Sequence, residues 1–158
     1  MKTSEDYYVE ALALDQGKEK ARIMEKAAEL AEVEGLKEKT FEYRFEIIKA
    51  IHDCNEVIKT LTVFSWLLKK FDEDPEKYAE SRDDLLWYYK WIVDSVDEIS
   101  SIPISKVKLL LEDYVKRIRK RGFSDFSAHL NTMLFYNAIG DYDNAEKEYQ
   151  LVLKSKRD

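Results

Sequence analysis

Cysteine, glycine, proline and histidine are all scarce in this 158-residue chain, and each scarcity narrows the reading. The single cysteine, Cys54, cannot close an intramolecular disulfide, so no covalent framework holds the fold and a reducing, cytoplasmic location is expected. Four glycines and two prolines leave long stretches free of helix breakers, which favours an all-α fold. The two histidines, His52 and His129, lie far apart. Neither belongs to an HExxH or ExxH spacing that would put metal ligands on one helix face. No P-loop, GxGxxG or GxSxG occurs, so neither an enzyme nor a cofactor is expected. No apolar run approaches the roughly 20 residues that span a bilayer, and Met1–Asp6 lacks the apolar core of a signal peptide.

What is present is charge and helical rhythm. Charged residues make up 37% of the chain and hydrophobic residues 45%, too apolar a balance for disorder. The net charge of −6, with acids and bases interspersed, argues against a nucleic-acid partner, which usually needs a basic face. Apolar periodicity predicts eight main helices, at about 4–14, 18–34, 37–53, 56–71, 82–97, 104–121, 125–139 and 142–155. Gly35 reads as a residue closing the second helix, Asn55 as an N-cap, and Ser124 as the cap of the seventh. Asp74-Pro75 reads as an N-cap followed by proline, predicting a short turn of helix near 75–80.

The punctuation repeats. Gly17, Asn55, Pro103 and Gly140 fall 38, 48 and 37 residues apart, at the expected turns of four helical hairpins, about 4–34, 37–72, 75–121 and 124–156. A two-helix unit near 40 residues is the mark of an α-solenoid, here within a single domain. The last hairpin carries the sharpest signature, Tyr136-Asn137-Ala138-Ile139-Gly140-Asp141-Tyr142-Asp143-Asn144-Ala145, with Tyr149 beyond it. Over about 33 residues it resembles a tetratricopeptide repeat (TPR). Gly140 stands at the inter-helix turn, Ala145 where helices approach closely, and Tyr136, Tyr142 and Tyr149 at aromatic positions that fill the space between helices. His129 stands where that family often has tryptophan, Met133 where it has a small residue, and Arg157 where it has proline. The whole chain is similar to bacterial TPR-like proteins of unassigned function. The resemblance implies a right-handed solenoid whose first helices line a concave groove for a protein or peptide. In that register Asn131 and Asn137 match groove positions that hold peptide backbone or a terminal carboxylate. The terminal hairpins of such a solenoid also leave a homodimer open.

Four further features compete with structural explanations. On helix 37–53, Phe41, Tyr43, Phe45, Ile47, Ile48 and Ile51 form an apolar arc, and Arg44 and His52 fall inside it. A buried arginine needs a partner, either an acid on a neighbouring helix or a ligand anion. A small-molecule or enzyme pocket around Arg44 and His52 is therefore the alternative to a peptide groove. His52-Asp53-Cys54 lists triad residues, but neighbours on a helix point apart and are not expected to meet. The segment Leu85-Leu86-Trp87-Tyr88-Tyr89-Lys90-Trp91-Ile92-Val93 divides into a core stripe (Leu85, Tyr89, Ile92, Val96) and a second face bearing Trp87 and Trp91. That pair is either packed against a neighbouring helix or an aromatic anchor for a ligand. The run Lys116-Arg117-Ile118-Arg119-Lys120-Arg121 is either an RNA-binding patch or the solvated, cationic end of its helix.

Overall fold

The computed structural model describes residues 1–96 and 101–155. Among these the fold is all-α, with eight main helices. They are α1 (Ser4–Leu12), α2 (Lys18–Val33), α3 (Lys37–Ile51), α4 (Val57–Glu73), α5 (Arg82–Val96), α6 (Ile104–Arg121), α7 (Asp125–Ala138) and α8 (Tyr142–Lys154). A 3₁₀ turn, Ala79–Ser81, answers the short turn predicted near 75–80. The predicted end of the fifth helix at 97, the Val96 side chain and Arg157 lie outside the described residues.

Local chemistry sets the ends. Thr3 and Asp6 form a capping box on α1: the Thr3 hydroxyl accepts from the Asp6 N–H and the Asp6 carboxylate accepts from the Thr3 N–H. The Gly35 N–H donates to Glu32 O at 3.1 Å and the Leu36 N–H to Ala31 O at 2.9 Å, the paired bonds of a Schellman ending. That ending requires left-handed backbone, and Gly35 adopts φ 75°. Ser124 caps α7 as predicted, accepting from the Phe126 N–H. Two caps differ from expectation. Asn55 is not an N-cap: it sits at φ 57°, the left-handed residue of the α3–α4 turn, and Glu56 precedes α4. Asn tolerates that region better than other side chains, which explains its presence there. Asp74 closes α4 rather than opening a helix, although its carboxylate still accepts from the Lys77 N–H at 3.3 Å.

The contacts divide into two compact units, Met1–Glu80 and Ser81–Asp158. In the first, α2 packs on α1 and α3, and α3 on α4. Ala21, Ala27, Ala28 and Ala31 let α2 approach its neighbours closely around Met24, Tyr43, Ile47 and Ile51. Every member of the predicted α3 apolar arc is buried. In the second unit, α5 packs on both α6 and α7, α6 on α7, and α7 on α8. Leu85, Tyr89 and Ile92 are buried as the stripe predicted, and α6 buries Val107, Leu111, Tyr114 and Ile118 at helical spacing. Within the TPR-like segment Ala145 is buried, but Tyr142 (68% exposed) and Tyr149 (42%) do not fill an inter-helix space. His129, at the tryptophan position, instead binds Glu148 of α8 across 2.7 Å.

Candidate functional site

Arg44 has its partners within the first unit. Its guanidinium meets the Glu32 carboxylate of α2 at 2.5 Å and lies 4.1 Å from the Trp66 ring centroid of α4. The side chain is 20% exposed. A planar cation stacked on an indole and bridged to a carboxylate has its charge satisfied by the fold itself. Glu32 and Trp66 both line a cleft of about 330 Å³ whose other walls include Tyr78 and the lysines Lys37, Lys70 and Lys77. Tyr78 is held there by stacking on Phe41 at 4.0 Å. The cleft also holds Glu73 and Asp74, so its walls carry both signs of charge. Arg44 therefore braces this cleft from behind, joining two of its walls.

His52 is not brought to that place. It lies eight residues, or about 12 Å, along from Arg44, at the C-terminal cap of α3. Its Nδ1 is 3.0 Å from Lys49 O, and its Nε2 is 3.3 Å from Asp53. The expectation that His52 and Asp53 diverge is thus corrected. Both sit past the last residue of α3, where the chain turns and adjacent side chains can meet. The Cys54 thiol points elsewhere, 3.8 Å from Ala50 O.

The four predicted binding residues of the second unit do not converge on one site. Trp87 is 64% exposed and lines a cleft of about 260 Å³ with Lys90, Tyr114 and Phe123. Trp91 is half-buried. Asn131 and Asn137 do come together, at another cleft of about 190 Å³ reached by Val93 and Asp94 of α5 and by Leu134 of α7. Asn131 is 2% exposed. Its Nδ2 donates to Ser127 O at 2.8 Å, while its Oδ1 is buried with no hydrogen-bond partner among the described residues. A buried carboxamide oxygen left unpaired costs on the order of 1–3 kcal/mol. Asn137, two turns of α7 further on, is exposed at the same cleft.

The cationic run of α6 is mostly neutralised. Arg117 binds Asp113 at 2.8 Å, Arg119 binds Asp125 at 2.8 Å, and Arg121 binds Asp83 through two nitrogens at 2.8 and 3.1 Å. Arg121 holds the Asp83 carboxyl below its ordinary range, and Arg119 does the same to Asp125. Three guanidiniums committed to fixed carboxylates leave little of an RNA-binding patch. Sequence reasoning missed the aromatic cleft of the first unit, because Trp66 and Tyr78 meet Arg44 and Phe41 only through the fold. An unpaired tryptophan in an otherwise ordinary amphipathic α4 was the sole available hint.

No helix among the described residues is long and apolar enough to cross a membrane. In comparison with known proteins, the chain matches no family model, no curated protein and no solved structure.

Proposed function

We infer that the chain is a non-catalytic module that binds a peptide or an extended protein segment. The observation that carries the reading is the unpaired Oδ1 of Asn131, buried at a cleft that Asn137 shares. A buried acceptor without a partner gains free energy from any donor that the cleft admits, and the backbone N–H of an extended peptide is such a donor. The placement agrees with the TPR-like resemblance. The cleft is lined by α5, α6 and α7, of which α5 and α7, the first helices of two successive hairpins, pack on each other. The right-handed solenoid and the single-domain arrangement belong to the same proposal, as does a cytoplasmic location.

The test is selection from a random phage-displayed peptide library, followed by calorimetric titration of the enriched peptides. Asn131→Leu and Asn137→Ala should each weaken binding about tenfold, ~1.4 kcal/mol, with helical content unchanged. Failure to enrich any peptide, or enriched peptides indifferent to both substitutions, sinks the reading.

A second reading, a small-molecule site, is favoured by the aromatic and lysine-lined cleft of the first unit. In that reading Trp66 and Tyr78 supply the stacking faces and Arg44 only supports them.

A further inference from the structure

A groove of about 410 Å³ runs between α6 and α7 in the second unit. Leu111 and Phe135 line both this groove and the Asn131 cleft, and so form the wall between them. The groove floor is apolar, built from those two residues with Val115 and Tyr136. Its α6 edge carries Lys108, Glu112 and Lys116 in order, and then Arg119, whose guanidinium is held by Asp125. Lys108, Glu112 and Lys116 are exposed and fall at successive i, i+4 positions on one helix face. The two lysines stand about 12 Å apart, with the glutamate midway.

The neighbouring arginines are accounted for: Arg117, Arg119 and Arg121 each hold a carboxylate of the fold. Lys108 and Lys116 hold none among the described residues, although the chain carries a net charge of −6 and six more acids than bases. Unneutralised lysines bordering an apolar groove offer charge complementarity to an anion-bearing partner. Glu112 between them repels negative charge at the centre. The edge therefore fits a segment with acidic residues about 12 Å apart and a neutral, apolar centre to fill the floor.

We propose that the α6–α7 groove docks a partner-protein segment in which acidic residues flank an apolar anchor, the acids pairing with Lys108 and Lys116 and the anchor covering Val115, Phe135 and Tyr136. This groove lies outside the Asn131 cleft and stands whether or not that cleft binds peptide. Fluorescence anisotropy with dye-labelled synthetic peptides tests it on the full chain. The first probe has a central Leu-Phe pair flanked by glutamates. The second carries lysine flanks, the third replaces the apolar pair with serines, and the fourth is a single-stranded oligouridylate. The glutamate-flanked peptide should bind, weaken with added salt, and lose at least tenfold in affinity to Lys108→Glu/Lys116→Glu. The lysine-flanked peptide should bind the reversed variant better than the wild type, and the serine peptide should bind neither. Asn131→Leu should leave the glutamate-flanked peptide untouched, which separates this groove from the carboxamide cleft. Both lysines are exposed, so the variants should fold; a neutral Lys108→Ala/Lys116→Ala pair with intermediate affinity guards against a misfolded reversal. The proposal is overturned by no binding of the glutamate-flanked peptide, by equal binding to wild type and reversed variant, or by tighter binding of the oligouridylate than of that peptide.

Discussion

At the scale of single residues, the two candidate binding side chains part ways. Arg44 looks like a stranded charge in the sequence and proves to be a brace, stacked on Trp66 and bridged to Glu32. Because Glu32 is more than half exposed, the ion pair itself is largely screened, and the stacking on Trp66 carries most of the stabilisation. Arg44→Ala should cost about 1–2 kcal/mol in urea unfolding, and Glu32→Gln less than about 0.5 kcal/mol. Equal losses would show that the ion pair dominates instead. Asn131 matches a groove position in the TPR-like register and proves to be fully buried with an unpaired acceptor. Replacing it by leucine removes that unsatisfied oxygen and fills similar volume, so Asn131→Leu should raise stability by about 1 kcal/mol. A gain in melting temperature together with lost peptide binding would mark a residue kept for its ligand. A loss of several degrees would instead show that the Ser127 bond pins α7 locally.

At the scale of elements, α1 is tied to α3 through a carboxylate of its own, Glu5. Glu5 Oε2 accepts from Lys39 Nζ at 2.6 Å and from the Tyr43 hydroxyl at 2.9 Å, both on α3, while Tyr8 stacks on Tyr43 at 4.5 Å. The Lys39 bond, and then the Tyr43 bond, hold the Glu5 carboxyl below its ordinary value of 4.5; burial pushes the Tyr43 phenol up. A depressed carboxylate contributes stability that is complete above its unfolded value and is lost as pH falls through the folded one. The stability difference between wild type and Glu5→Gln should therefore be flat near neutrality and shrink below about pH 4.5, read by urea unfolding across a pH series. A difference that persists unchanged into acid would remove Glu5 as the fastening charge. Most of the elements were legible beforehand, because their apolar periodicity and few breakers leave little choice: α6 begins and ends where Pro103 and Gly122 require. What the sequence withheld was pairing between elements. Nothing in local spacing says that Arg121 reaches Asp83, 38 residues away, or that the α6 cations are spent on the fold. The carboxamides were legible only through their register in the TPR-like pattern. Their burial, one complete and one absent, depends on how α5 packs against α7.

At the scale of the whole molecule, the division into two compact units has a consequence for cooperativity. The buried cluster around Met24, Tyr43, Ile47 and Ile51 draws on residues of the first unit alone. The tryptophans divide the same way, with Trp66 in the first unit and Trp87 and Trp91 in the second. Fluorescence can therefore follow each unit separately: Trp87→Phe/Trp91→Phe leaves Trp66 to report on the first, and Trp66→Phe leaves the other two to report on the second. Ile51 is 1% exposed, and truncating it to alanine should remove about 3 kcal/mol through lost burial and the cavity left behind. If each unit folds on its own core, Ile51→Ala moves the Trp66-reported urea midpoint down and leaves the Trp87/Trp91-reported midpoint in place. If the two units form one cooperative body, as the single-domain expectation holds, both reporters shift together by the same amount. Separate transitions would also settle how binding should be measured. A peptide held at the Asn131 cleft would raise only the second midpoint, by an amount set by its concentration over its dissociation constant, while a ligand of the aromatic cleft would raise only the first.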